Sequence, residues 1–321
     1  MNTPRVTVAI LSWNRLHYLR ATLESARRCI CYENLEWIVS DNASEEPGLA
    51  GYLAGCDWVA HRWSKKQTHA EAMNEIVDRA TGDYLLLWPD DMQFVVEGVW
   101  LMRLVATLEK NPDIGSVGLN FLRRRTVRRF YGGWQTADLV PFVADLKRRR
   151  LRRPRVVRGP GSLHTAGWRR PGVVASGIPS LTRTDYWRSL GAWRTARGGT
   201  PLLDSSLGAE DDMIARFQDS GFAWQQAMLT RPVAADIIND DTGCKAKVRG
   251  GKRYGIYTPP PGGGDFYYQI KSEDDLPADD GGLPLCFEDH VRPIGFALPL
   301  DERGNLRKAS LNESVVTEVI S

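Results

Sequence analysis

Short apolar runs alternate with stretches whose apolar residues recur every three or four positions, and this alternation sets the expected architecture. Residues 6–11 (VTVAIL) form a β-branched run of the length of a buried strand. Ser12-Trp13-Asn14 follows with cap-forming side chains, and then Leu16, Leu19, Leu23 and Ala26 fall at helical spacing. Residues 36–40 (EWIVS) predict a second strand that ends at Asp41-Asn42-Ala43-Ser44. Thr68-x-x-Glu71 has the form of a capping box and opens a helix through Met73, Ile76, Val77 and Ala80, with Gly82 expected as its C-cap glycine. Residues 83–88 (DYLLLW) predict a strand, residues 97–110 a helix closed by Asn111-Pro112, and residues 114–119 a further strand. Later in the chain, residues 173–182 and 222–229 read as strands. Between them a helix is expected over residues 210–220, with Met213, Ile214 and Phe217 on one face and Gly221 as its stop.

Strand and helix alternate through the first 120 residues, which is the pattern of an α/β, doubly wound, mostly parallel sheet. After residue 231 the pattern fails. Residues 258–264 (TPPPGGG) and 276–284 are rich in Pro and Gly, and residues 265–289 hold eight acids and one lysine. The expected division is a core over residues 1–231 and a loop-rich C-terminal extension over 232–321 that wraps the core or forms a small appendage. No repeat recurs at a fixed period.

Composition narrows the class. A chain of 321 residues, 42% hydrophobic, suffices for one large domain or two modest ones. It has no apolar run of about 18 residues, so no membrane-spanning helix is expected. The opening MNTPRVTVAILSW reads as a first strand rather than a signal peptide. Cys29, Cys31, Cys56, Cys244 and Cys286 are scattered and lack a common zinc spacing, which suits a reducing, cytoplasmic compartment. The net charge of +3 hides an asymmetry: residues 123–158 carry thirteen Arg or Lys against Asp138 and Asp145, a local +11 on a chain that is otherwise about −8. This basic insertion is either a solvated loop or a surface for an anionic partner.

Chemistry enters at three acidic stations. Asp41 follows one strand, Asp90-Asp91 end the Leu85–Trp88 run, and Glu210-Asp211-Asp212 open a helix. Ligands of open α/β sheets bind beyond the carboxyl ends of strands. Two adjacent carboxylates repel unless a cation lies between them, so Asp90-Asp91 is where a metal and a phosphate are expected. Taken singly, each station has an ordinary structural role, since acids favour helix N-termini and turns. Their order on an alternating pattern points to function.

Four blocks now stand in order: VTVAILSWNRLHYLRATLESA, IVSDNASEE, the run from Thr68 to Asp91, and GAEDDMIARFQDSGF. Together they resemble the family-2 glycosyltransferases of the GT-A, Rossmann-like fold, and the resemblance runs from Val6 to Leu229. It implies a metal-dependent, inverting transferase of the hexosyltransferase type. The sugar would pass from a nucleoside-diphosphate donor, commonly a UDP-sugar, to a hydroxyl of a glycan or lipid-linked acceptor, as in polysaccharide biosynthesis. Asp41 would bond the nucleobase, with Ser12 and Asn14 lining the same pocket. Asp90 would lie near the ribose or the ion, Asp91 would ligate Mn2+ or Mg2+, Asp211 would be the general base, and Glu210 would help place the acceptor or the base. His290 and Asp236 are candidates for a third metal ligand. The chain departs from the family pattern at Pro89, where an acid often stands two residues before the last Asp, and at Met73, where an Arg often precedes the Asn (here Asn74). Lys65, Lys66 or the basic segment would then supply the missing charge.

The chemistry suits these roles. An oxygen-seeking divalent ion stabilises a departing diphosphate without a proton donor. A poorly nucleophilic hydroxyl needs a carboxylate to take its proton. Trp63, Trp134, Trp168, Trp187 and Trp193 offer faces on which sugar rings stack, and are equally ordinary core residues. His69 is explained by its helix-start position, and His164 is a candidate on a loop over the site. The basic insertion suits an anionic membrane leaflet holding a lipid-phosphate acceptor, or an acidic glycan. Nucleic acid is disfavoured, because no RNA-recognition or helix-turn-helix motif accompanies the charge. Two other readings compete: a nucleotidyltransferase on a similar core, which lacks a Gly-rich phosphate loop after the first strand, and an inactive binding module that uses the basic arm.

Overall fold

The computed structural model describes residues 3–112, 114–119, 121–122, 155–158, 164–167, 179–194, 196–197, 200–201, 209, 212–213, 225–229, 233–237 and 264–275. In chain order the strands are β1 (Val6–Ser12), β2 (Leu35–Asp41), β3 (His61–Ser64), β4 (Tyr84–Pro89), β5 (Met92–Phe94), β6 (Val96–Glu97), β7 (Ile114–Gly118), β8 (Phe121–Leu122), β9 (Arg155–Arg158), β10 (His164–Gly167), β11 (Ser180–Arg183), β12 (Ala196–Arg197), β13 (Thr200–Pro201), β14 (Gln225–Leu229), β15 (Ala234–Asp236) and β16 (Lys271–Ser272). The helices are α1 (Leu16–Cys29), α2 (Leu49–Gly55), α3 (His69–Arg79), α4 (Trp100–Glu109) and α5 (Thr184–Leu190).

The main sheet has nine strands in the order β3-β2-β1-β4-β11-β7-β14-β10-β9. β3, β2, β1 and β4 are mutually parallel, β7 and β14 point the same way, and β11 and β10 run against them. This is the expected mixed α/β architecture with a mostly parallel sheet. Residues alternate between its faces. Val6, Val8, Ile10, Tyr84, Leu86 and Trp88 face one core with α1 and α4, while Ala9, Leu85 and Leu87 face the other with α3 and α5. A strand covered on both sides reads as a continuous apolar run, which is why residues 85–88 are Leu-Leu-Leu-Trp and all four are fully buried. Each such side chain contributes about 1.5–3 kcal/mol, so the central strands are anchored well below the level of a local opening.

α3 begins as the sequence indicates. The Thr68 side chain accepts from the Glu71 N–H at 3.2 Å, and Glu71 accepts from the Thr68 N–H at 2.7 Å. Its end differs. Ala80 is the C-cap, and Gly82 has no left-handed φ. Gly82 instead lies against β1, where an added Cβ would meet the Thr7 nitrogen at 2.6 Å and the Tyr84 carbonyl oxygen at 2.8 Å. Close backbone approach, not helix capping, requires glycine there. The helix expected over residues 97–110 starts only at Trp100, because residues 96–97 form β6 and pair with β16. α2 and β3 lie in a stretch that carried no clear periodicity. Of the strand expected over 173–182, the described part is β11, which runs antiparallel to both neighbours. Of the helix over 210–220, Asp212 and Met213 are described and helical, as is Ala209 before it.

Segments from beyond residue 231 join this core. β15 pairs with β5 and β8. The buried Gln93 side chain fastens residues 267–268: its Oε1 accepts from the Tyr267 and Tyr268 N–H groups at 2.8 and 3.0 Å, and its Nε2 donates to the Tyr268 carbonyl at 2.8 Å. Arg103 forms an ion pair with the buried Glu273, which lies against Gly98. Among the described residues no helix is long and apolar enough to cross a membrane.

Candidate active site

Three parallel strands end level with one another, and their ends form the site. Ser12 is the register partner of Asp41, and Leu11 is the partner of Pro89. The loop after β1 therefore lies between the Asp41 turn and the Asp90-Asp91 turn.

On the β2 side, Asp41 is buried and held by two serines. The Ser64 hydroxyl donates to its Oδ2 at 2.5 Å, the Ser44 N–H donates to the same oxygen at 2.9 Å, and the Ser44 hydroxyl bonds its Oδ1. Asn14 ties the two loops. Its φ of 49° lies in the left-handed region that asparagine tolerates. That turn aims its N–H at Ser44 Oγ, at 2.8 Å, and its Oδ1 at the Glu45 N–H, at 2.7 Å. Glu46 then accepts from the Leu16 N–H at 2.8 Å and so caps α1 from the neighbouring loop, in place of the local cap expected from Ser12-Trp13-Asn14. Ser12 Oγ and Asn14 Nδ2 are buried and have no hydrogen-bond partner among the described residues. Trp13 stands out with 42% of its surface exposed, beside a site whose neighbours are buried.

On the β4 side, every carbonyl of the turn is pinned. Thr22 Oγ1 donates to the Asp90 carbonyl at 2.9 Å, the Ile237 N–H to the Asp91 carbonyl at 3.1 Å, and the Trp88 indole N–H to the Met92 carbonyl at 2.9 Å. Trp88 stacks on Phe94 at 3.8 Å between ring centroids. The two carboxylates do share a cation, and it is Arg15. Its Nε donates to Asp90 Oδ2 at 3.2 Å, its Nη2 bonds Asp90 Oδ1, and its Nη1 donates to Asp91 Oδ2 at 2.6 Å. The Trp13 N–H also donates to Asp90 Oδ2, at 3.2 Å. Asp90 is thus fully engaged and 1% exposed, whereas the Asp91 side chain is 14% exposed. Among the described residues no three His, Cys, Asp or Glu side chains converge on one point. This donor set fits a divalent ion that is shared between Asp91 and phosphate oxygens, which is a common way to hold Mg2+.

Sequence reasoning missed Arg15, Ser44 and Ser64. Arg15 had a signal: a cation at the N-cap of α1 opposes the helix dipole and needs a carboxylate partner. The serines had none, since Ser64 reaches Asp41 only through the pairing of β2 with β3.

Other candidates find different places. Glu210, Asp211, His290, Trp134 and Trp168 lie outside the described residues. Ala209 and Met213 join the core cluster on the α3 face, and Asp212 lies 3.8 Å from Arg194. Asp236 sits at the register position opposite Met92, beside the Asp90-Asp91 turn. Trp187 and Trp193 are core residues, 1% and 4% exposed, and are not stacking faces for a sugar. The Trp193 backbone is clamped by Asn74, which donates to its carbonyl at 3.1 Å and accepts from its N–H at 2.7 Å. Trp63 lies under Arg79, whose guanidinium is 4.8 Å from the ring centre. Met73 is fully buried, and Lys65 pairs with Glu75 at 2.7 Å. His164 is on β10, four strands from β4 and so about 19 Å away at the usual strand spacing, not on a loop over the site. His69 meets Trp193 edge-on at 6.0 Å, and burial pushes its pKa from 6.5 down to about 4.

Three comparisons with known proteins follow this geometry. The mannosyltransferase PcManGT from Pyrobaculum calidifontis, solved with GDP-Man and Mn2+, is 16% identical with a TM-score of 0.47 over 78% of this chain and 61% of that one. TarS residues 1–349 of S. aureus is 12% identical with a TM-score of 0.45 over 72% and 60%. Uncharacterized protein y4gI of Sinorhizobium fredii (strain NBRC 101917 / NGR234) is 33% identical over 121 residues, which are 36% of this chain and 13% of that protein. The chain thus spans about three-fifths of those two structures and a small part of the curated relative. The model of glycosyl transferase family 2 matches residues 7–168, which include the β1, β2 and β4 ends and their carboxylates. The chain belongs to glycosyl transferase family 2.

Proposed function

We propose that this enzyme transfers a sugar from a nucleoside diphosphate, most simply UDP, to a hydroxyl of a glycan or lipid-linked acceptor with inversion, using a divalent ion. The observation that carries the reading is the level ending of β1, β2 and β4, which brings Ser12, Asn14 and Asp41 beside Asp90 and Asp91. Asp41 is an acceptor-only group fixed by two serines. A nucleobase edge that presents an N–H, as uracil N3–H does, suits it. Trp13, exposed in the loop that lies between the Asp41 and Asp90 turns, would offer an aromatic face to the base. Asp91 would hold the ion together with the diphosphate, and the ion would stabilise the charge that develops as the sugar–phosphate bond breaks. Asp211 would take the acceptor proton on the other side of the sugar carbon, with Glu210 placing it. One base opposite the leaving group gives in-line displacement and inversion.

Family membership favours this reading over nucleotidyl transfer and over an inactive binding module. The basic insertion is proposed to hold an anionic, membrane-borne acceptor at the cytoplasmic face; its described part, Arg155–Arg158, lies at the edge of the main sheet as β9.

The test is UDP release from a panel of UDP-sugars with Mn2+, compared between wild type and Asp211→Asn. Turnover in the variant is expected to fall at least 100-fold, as loss of a general base does, while calorimetric affinity for UDP with Mn2+ stays within about twofold. An Asp211→Asn enzyme with normal turnover would remove the base assignment, and wild type that binds no UDP would remove the donor assignment.

A further inference from the structure

One row of side chains crosses the ends of β1, β2 and β3. Ser12, Asp41 and Ser64 are register partners, so they stand side by side on one face of the sheet. The middle member is nearly saturated. A carboxylate offers about four acceptor positions, two on each oxygen. Oδ2 of Asp41 takes the Ser64 hydroxyl at 2.5 Å and the Ser44 N–H at 2.9 Å, and Oδ1 takes the Ser44 hydroxyl. Among the described residues nothing else donates to it, so one position, on Oδ1, is left. The flanking groups have the opposite character. Ser12 and Asn14 are 4% and 1% exposed, and Ser12 Oγ and Asn14 Nδ2 have no hydrogen-bond partner among the described residues. The Asn14 amide is oriented, because its Oδ1 accepts from the Glu45 N–H at 2.7 Å. Buried polar groups of this kind are costly unless a ligand satisfies them.

We infer that Ser44 and Ser64 set the base specificity of the donor: by filling Asp41 they leave it a single acceptor position, so the site takes a base whose edge carries one N–H between two carbonyls, as uracil and thymine do, and refuses guanine, whose edge carries two adjacent N–H donors. The inference rests on the nucleoside-diphosphate reading above. In this arrangement the base N3–H bonds Oδ1 of Asp41, and the two flanking carbonyls accept from Ser12 Oγ and Asn14 Nδ2, which gives both buried donors a partner. Guanine places its N1–H on Oδ1 and buries its amino group against an Oδ2 that has no lone pair to give. Cytosine and adenine fail earlier, since each presents a ring nitrogen that accepts where Asp41 also accepts. A site that pairs each polar atom rejects such mismatches more strongly than it rejects a change of size. Ser64 is the residue to vary, because it is exposed and stands on the edge strand of the main sheet.

Affinities for UDP, GDP and IDP are measured by calorimetry with Mn2+ on wild type, Ser64→Ala and Ser64→Thr. IDP differs from GDP only by the missing amino group, so the ratio of the two reads the second donor and not ring size. Wild type is expected to bind IDP roughly tenfold more tightly than GDP, the usual effect of one buried donor without an acceptor, and UDP more tightly than either. Ser64→Ala frees a lone pair of Oδ2, and the preference for IDP should fall to about twofold or less. Ser64→Thr keeps the hydroxyl and should keep the wild-type ratio. Ser12→Ala should weaken UDP about tenfold without lowering the melting temperature, since it removes a buried hydroxyl that has no partner in the free protein. Wild type that binds GDP as well as IDP, a preference that Ser64→Ala leaves unchanged, or a Ser12→Ala protein with a lower melting temperature and unaltered UDP affinity overturns the inference and leaves the nucleoside-diphosphate donor standing. If wild type binds UDP but neither purine, GDP binding has to appear in Ser64→Ala, and its continued absence overturns the inference. Wild type that binds none of the three overturns the donor reading as well.

Discussion

At the residue scale, the site depends on how buried charges are matched. Asp90 and Arg15 satisfy each other, and Asp41 is satisfied by hydroxyls and a backbone N–H. Glu36 is the structural counterpart below the sheet. Burial alone would raise its pKa, but bonds from the Thr7 hydroxyl at 2.5 Å and from the Thr81 N–H and hydroxyl at 2.8 and 2.9 Å outweigh it, and the carboxyl stays below its usual range. His69 goes the other way, held neutral to about pH 4 by burial against Trp193. Between about pH 6.5 and 4 the unfolded chain binds a proton that the folded chain refuses, so stability is full above this window and falls as pH drops through it. His69→Phe should therefore lose less melting temperature than wild type between pH 7 and 4.5. Parallel curves for the two proteins would show that the ring is not the source. Asp41 and the Asp90-Asp91 pair were visible in the sequence as acids after apolar runs. Arg15 was visible only as part of a polar turn, because its partners lie 75 and 76 positions away.

At the scale of elements, the turn after β4 is rigid because three elements bond its carbonyls: α1 through Thr22, the end of β15 through Ile237, and β4 itself through Trp88. The start of α3 was legible to the residue because a capping box is local. Gly82 was misassigned because its reason is not local. The strand β1, 75 positions earlier, leaves no room for a Cβ. Gly82→Ala should cost about 1–3 kcal/mol, the usual penalty of overpacking against backbone. Urea unfolding would report it, and a loss under about 0.5 kcal/mol would mean that β1 yields. Trp187 and Trp193 show the same limit. Sequence places them before the Glu-Asp helix, but only the packing of α5 on α3 decides that they face inward.

At the scale of the molecule, segments far apart in sequence are joined around one amide. Gln93, three residues past Asp90, holds Tyr267 and Tyr268 with three hydrogen bonds and is itself fully buried. Each bond is worth about 1 kcal/mol net, and loss of one partner strands the others. Gln93→Leu should lower the melting temperature and open residues 264–275 to limited proteolysis, mapped by mass spectrometry, before the rest of the chain. Cleavage that starts elsewhere would assign the segment's hold to Arg103–Glu273 or to the β16–β6 pair instead.

The amino-acid sequence by itself determined the period of each element, and hence a mostly parallel sheet with acids at strand ends, because burial on two faces writes continuous apolar runs and a capping box needs only four residues. It could not say what neutralises those acids, which tryptophans face water, or why residue 82 is glycine. Those answers depend on which strands lie side by side. Register brings Ser12 opposite Asp41 and sets Asp90 beside the loop that carries Arg15, and no pattern within a single segment encodes that distance.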